Sequence, residues 1–213
     1  MTHGRLQDKV AFITGAGTGI GAATAIRFAQ EGAKVVICGR RAEPLNEVVH
    51  QITQAGGTAE AVQLDVSNEA AFCAALEAVV KRHGKLDILV NNAMAYSWGA
   101  LESTSTADWH SNFSTSVDGT FWGTREAMKW MKPNGGSIIN LSSICGILGT
   151  AWMAGYSAAK AAIINFSRAA AAEGDGSLCR PQSRPGAALP VRARRNLRLR
   201  LPAGYRYLPC HQP

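Results

Sequence analysis

The sequence predicts an α/β protein: an open, doubly wound parallel sheet with helices on both faces. Three observations carry this expectation. Short apolar runs alternate with stretches of helical apolar spacing, strand then helix, five times over. The first run, Val10–Thr14, is apolar throughout, as suits a strand covered on both faces. That run also passes through a glycine-rich turn directly into a helical segment.

After the strand Val10–Thr14, Ile20, Ala23, Ile26 and Phe28 recur at helical spacing over Gly19–Gln30, and Gly32 is a fitting C-cap. Lys34–Cys38 reads as the second strand. Pro44–Ala55 reads as a helix with Pro44 in its first turn and Gly56-Gly57 after it. Ala59–Leu64 is the third strand. Ser67 then caps a helix reaching to about Arg82, closed by Gly84. Leu86–Val90 is the fourth strand. One long helix follows over about Ala107–Met131, broken by Pro133-Asn134-Gly135-Gly136. Ser137–Leu141 is the fifth strand, and Tyr156–Ala172 the last helix. The five tryptophans, Trp98, Trp109, Trp122, Trp130 and Trp152, are expected mostly in the core or an interface, with Trp152 and Met153 near a substrate pocket.

The 213 residues suffice for one sizeable domain, placed over residues 1–174. Residues 175–213 differ in kind. Six of the eight prolines lie there, and composition predicts a disordered, extended tail. The net charge of +7 belongs to that tail. Residues 1–175 hold 14 Lys+Arg against 15 Asp+Glu, whereas residues 176–213 hold eight Arg and no acid. The body therefore has no excess charge to attract nucleic acid. Five cysteines without a CxxC pair or a histidine cluster argue against a metal site or disulfide framework. There is no signal pattern and no membrane-length apolar run, so a cytoplasmic protein without a membrane partner is expected.

The turn Thr14–Gly21 (TGAGTGIG) lies between strand and helix, the context of a Rossmann-type phosphate loop. Gly15 permits the tight turn, Gly19 leaves room for a pyrophosphate, and Gly21 lets the helix pack closely. The helix N-terminus supplies N–H donors and partial positive charge for the anion. In such folds an acid at the end of the second strand binds the ribose 2′-hydroxyl of NAD. Here the strand ends Cys38-Gly39-Arg40-Arg41, and a guanidinium suits a 2′-phosphate, which favours NADP over NAD.

Tyr156 and Lys160, four apart at a helix start, share a face. A free tyrosine titrates near pH 10, and a neighbouring cation favours the phenolate needed for proton exchange at neutral pH. Ser143 follows the fifth strand, where ligands meet an open α/β sheet, with a hydroxyl able to hold a substrate oxygen.

Together, Thr14–Gly21, Asn91-Asn92-Ala93, Ser142-Ser143 and Tyr156–Lys160 (YSAAK) resemble the short-chain dehydrogenase/reductase family over roughly residues 6–174. The resemblance implies hydride transfer between a nicotinamide cofactor and a small carbonyl or alcohol. It implies Tyr156 as general acid/base, Lys160 as the residue that binds the nicotinamide ribose and tunes Tyr156, and Ser143, thirteen residues before Tyr156, as substrate holder. The cofactor set carried over is Gly15, Thr18, Gly19, Ile20, Gly21, Arg40, Asp65, Val66, Asn91, Ala93, Tyr156 and Lys160. Asp65 resembles the adenine-contacting acid, and Asn91 the residue that steadies the sheet. By analogy, a homo-oligomer through the helices near 107–131 and 156–172 is expected.

Three departures stand out. Met94 replaces the glycine of the family's NNAG. Ser116 stands where the family has an active-site asparagine that holds a proton-relaying water, a task open to serine; Asn112 lies one helical turn away. No sixth strand ending in a Pro-Gly turn follows Gly174, since Pro185-Gly186 lacks an apolar strand before it. The alternative reading is thus a truncated, catalytically inactive member that at most binds nucleotide.

Overall fold

The computed structural model describes residues 4–174. The expected tail, 175–213, and the sixth strand sought within it lie outside those residues. The elements run β1 Val10–Thr14, α1 Gly19–Gln30, β2 Lys34–Gly39, α2 Ala42–Gln54, β3 Thr58–Gln63, α3 Glu69–His83, β4 Ile88–Asn91, α4 Thr106–Phe113, α5 Gly119–Met131, β5 Ser137–Asn140 and α6 Ala154–Gly174. All strand pairings are parallel, in the order β3-β2-β1-β4-β5. This is the predicted doubly wound α/β sheet. The order turns back at β1, so the carboxyl ends of β1 and β4 open a crevice for a ligand.

β1 is buried along its whole length, and its two faces feed two cores. Val10 and Phe12 pack with Phe72, Leu76 and Val79 of α3 and with Ala127 and Met131 of α5. Ala11 and Ile13 pack with Ala25 and Ala29 of α1 and with Leu45, Val48 and Ile52 of α2.

Local structure corrects several expectations. α1 buries Gly21, Ala25 and Ala29, a stripe of three small residues spaced four apart, whereas Ile20 is 67% exposed at the crevice. Small residues bring the helix close to the sheet, and Ile26 and Phe28 pack half-buried beside them. α3 is capped by Asn68, whose side chain accepts the Ala71 N–H at 3.0 Å, not by Ser67. Ser67 instead gives its N–H and O–H to Asp65. The helix expected over 107–131 is interrupted by a π-helical turn, Ser114–Asp118, between α4 and α5. An inserted residue of this kind leaves no mark in apolar spacing, because the helix resumes after it.

The core part of the tryptophan expectation fails. Trp98, Trp109, Trp130 and Trp152 are all exposed, and only Trp122 packs against a core. Among the described residues no helix is long and apolar enough to cross a membrane, and no group of three His, Cys, Asp or Glu gathers where a metal could sit.

Candidate active site

The loop after β1 is built for close backbone approach. Gly15 and Gly19 adopt left-handed φ of 63° and 59°, which glycine does without a Cβ penalty. A Cβ on Gly21 would lie 2.5 Å from the Gly15 carbonyl and 2.6 Å from Asn92 Nδ2. Its small size thus serves the loop and its clamp more than the sheet. A Cβ on Gly19 would meet nothing within 4 Å, so the space above it is open.

Asn92, which the sequence singled out only as part of a motif, is that clamp. Its Nδ2 donates to the Thr14 and Gly15 carbonyls at 2.9 and 3.1 Å. Buried Thr14 answers from the other side: its hydroxyl oxygen accepts the Asn92 and Ala93 N–H groups, both at 2.9 Å. The ends of β1 and β4 are thereby locked together at the point where the crevice opens.

That crevice is a cleft of about 610 Å³. Of the predicted cofactor residues, Gly15, Thr18, Ile20, Arg40, Asp65, Val66 and Ala93 line it. Gly19, Gly21, Asn91, Tyr156 and Lys160 do not. Arg41, Met94 and Thr115 line it as well, Thr115 from the π turn. A nicotinamide dinucleotide fits this donor set. The open space lies over Gly19, α1 begins at Thr18 with no side-chain cap and no acid in its first turn, and two arginines stand at the β2 end. Asp65 lines the cleft while one of its oxygens accepts from Ser67, so it also shapes the turn after β3.

Asn91 is buried and turned into the fold. Its Nδ2 donates to Asn140 Oδ1 at 2.8 Å and to Thr124 Oγ1 at 3.3 Å, tying β4 to β5 and α5. Asn140 in turn donates to Ser167 of α6 at 2.9 Å. This chain of amides fixes α6 against the sheet.

At the carboxyl end of β5 the catalytic candidates converge on one turn of α6. Lys160 is 2% exposed, and its Nζ donates to the Leu141 carbonyl at 2.7 Å. Burial pushes its ammonium down to about 8. The same Nζ lies 5.7 Å from the centre of the half-buried Tyr156 ring. Ser142 donates to the Lys160 carbonyl at 2.7 Å. Ser143 caps the short 3₁₀ turn Ile144–Gly146, accepting the Cys145 N–H at 3.2 Å. Gly146 of that turn abuts the Lys160 backbone, where a Cβ would sit 2.6 Å from the carbonyl carbon. The Ser143 turn and the Lys160 turn are therefore one packed unit.

Ser116 is wholly buried in the π turn, and its hydroxyl accepts the Ala95 N–H at 3.3 Å. It anchors the loop after β4. Asn112 anchors the same loop one turn earlier, donating to Ser97 Oγ at 2.7 Å. Tyr96 of that loop meets Tyr156 edge-to-face, with ring centres 5.8 Å apart.

The profile of the short chain dehydrogenase family matches residues 9–177. The chain is 39% identical to a 3beta-hydroxysteroid dehydrogenase of Mediterraneibacter gnavus, over 80% of this chain and 62% of that protein. It thus spans less than two thirds of that relative's length. It is 40% identical to an NADP-dependent (R)-specific alcohol dehydrogenase of Lentilactobacillus kefiri, over 78% of this chain and 67% of that one. The crystal structure of an NAD+-bound xylitol dehydrogenase superposes with a TM-score of 0.78 at 30% identity, over 81% of this chain and 67% of that chain. On fold, motif positions and sequence alike, the chain belongs to the short-chain dehydrogenase family.

Proposed function

We propose that the chain is an oxidoreductase that transfers a hydride between NADP(H) and a small carbonyl compound or secondary alcohol. The observation that carries the reading is Lys160, a buried cation held between the Leu141 carbonyl and the Tyr156 ring. When bound, the nicotinamide supplies or receives the hydride. The protein's part is proton handling and positioning. In reduction, Tyr156 Oη gives its proton to the carbonyl oxygen; in oxidation it takes the alcohol proton. The buried Lys160 ammonium stands 5.7 Å from the centre of the Tyr156 ring and places a positive charge beside it. Ser143 holds the substrate oxygen from the end of β5.

The preference for NADP rests on Arg40 and Arg41 lining the cleft where no acid ends β2. Titrating the full chain with NADPH and NADH while following tryptophan fluorescence tests both halves. NADPH is expected to bind about tenfold or more tightly than NADH, with Arg40→Ala removing the difference. Equal affinities would remove the NADP assignment. NADPH binding without turnover of any carbonyl would favour an inactive nucleotide binder.

A further inference from the structure

Two loops frame Tyr156, and neither carries a charge. No charged residue occurs between Asp87 and Glu102, nor between Lys132 and Lys160. These stretches hold the loop after β4 and the segment from β5 into α6. They also hold nine of the thirteen large apolar side chains exposed among the described residues, Met94, Tyr96, Trp98, Ile147, Leu148 and Trp152 among them. Scattered exposed apolar residues need no explanation, but their concentration in two uncharged stretches does.

The cluster is organised. Met94 lines the nucleotide cleft, Tyr96 stands edge-on to Tyr156, and the Gly99 N–H donates to the Trp152 carbonyl at 2.9 Å, joining the two loops. Trp152 adopts a left-handed φ of 68° with its side chain 55% exposed. A bulky residue there carries backbone strain, and more than half of its surface stays open to solvent.

We infer that Tyr96 and Trp152 are specificity-determining residues of a neutral, apolar substrate wall. It selects bulky, uncharged ketones and alcohols, alicyclic ones in particular, over carbonyl compounds bearing a carboxylate or phosphate. This rests on the hydride-transfer reading and names the substrate class for that same site. An apolar substrate gains by covering the exposed rings. A charged one loses its hydration against walls that offer no counter-charge.

The test uses the full 213-residue chain and two probes that share a cyclohexanone carbonyl: 2-decalone and 4-oxocyclohexanecarboxylate. Turnover with NADPH is measured beside ligand-observed saturation-transfer NMR in the presence of NADP+. The decalone is expected to bind saturably, with kcat/KM about 100-fold or more above that of the carboxylate. Trp152→Gly and Tyr96→Ala should each raise its KM about tenfold while changing kcat less. Tyr96→Phe should restore the KM. Trp152→Gly should hold or raise the melting temperature, since glycine accepts the left-handed backbone, which a merely structural tryptophan would not allow. Binding or turnover of the carboxylate within about threefold of the decalone overturns the proposal. So do unaltered KM values in both variants. Selective decalone binding without turnover upholds the wall and removes the hydride-transfer reading. NADPH binding with neither ketone bound removes the wall and leaves the nucleotide site standing.

Discussion

Lys160 and Leu141 are joined by a hydrogen bond of 2.7 Å from the buried ammonium to the first carbonyl beyond β5. The bond holds a cation where water scarcely reaches, and this has a measurable cost. Folding lowers the lysine from 10.5 to about 8. Between those values the unfolded chain binds more protons than the folded one, so stability rises with pH across about 8 to 10.5, and the full penalty applies below pH 8. At pH 7 that penalty is about 3 kcal/mol. Lys160→Met removes it and leaves the Leu141 carbonyl unpaired, which costs about 1–2 kcal/mol. The variant is expected to be at least as stable as the parent at pH 7, with its advantage shrinking toward pH 10. Urea unfolding of both proteins at the two pH values checks this; a difference independent of pH would contradict it.

The phosphate loop separates two uses of glycine. Gly21→Ala drives a Cβ into the Gly15 carbonyl and the Asn92 amide, and is expected to cost about 3 kcal/mol of stability. Gly19→Ala meets no atom, so only its positive φ is penalised, at about 1 kcal/mol. That Cβ occupies the space left for the pyrophosphate, and NADPH affinity should fall about tenfold or more. Melting curves with and without NADPH separate the two outcomes.

Thr14→Val keeps the shape of the β1 end but strands the Asn92 and Ala93 N–H groups. A loss of about 2–4 kcal/mol is expected, since a buried unpaired donor costs its full desolvation. Thr14→Ser keeps the acceptor and should recover most of it. Chemical denaturation of the pair decides.

Ser116→Ala releases the Ala95 N–H. The expected loss is about 1–2 kcal/mol, with hydrogen exchange of the Ala95 amide accelerated at least about tenfold by local opening. Exchange that stays at the parent rate would show that the π turn holds the loop without this hydroxyl.

The sheet was legible because its causes are local: apolar runs of strand length, glycines at element ends, and a phosphate loop whose spacing is set by the anion it serves. The same holds for Tyr156 and Lys160, which a single helix brings together. What escaped the sequence reading depends on partners far along the chain. Asn92 matters for the carbonyls it reaches 77 and 78 residues away. The π turn adds a residue without disturbing the apolar spacing on either side. Four tryptophans lie outside the core because hydrophobicity alone does not say whether a ring packs inward or stays at the surface.

The central position of β1 also bears on how the chain acquires its fold. The Val10 N–H is capped by the Asp87 carboxylate at 2.9 Å, across 77 residues, and Ala11 to Ile13 pair with Ile88 to Val90. A nascent chain emerging from the ribosome can pair β1 with β2 and β2 with β3 early, but one flank of β1 stays bare until β4 is synthesised. Such late, non-local closure is slow. Through that interval the apolar edge of β1 is the segment on which a holding chaperone would act.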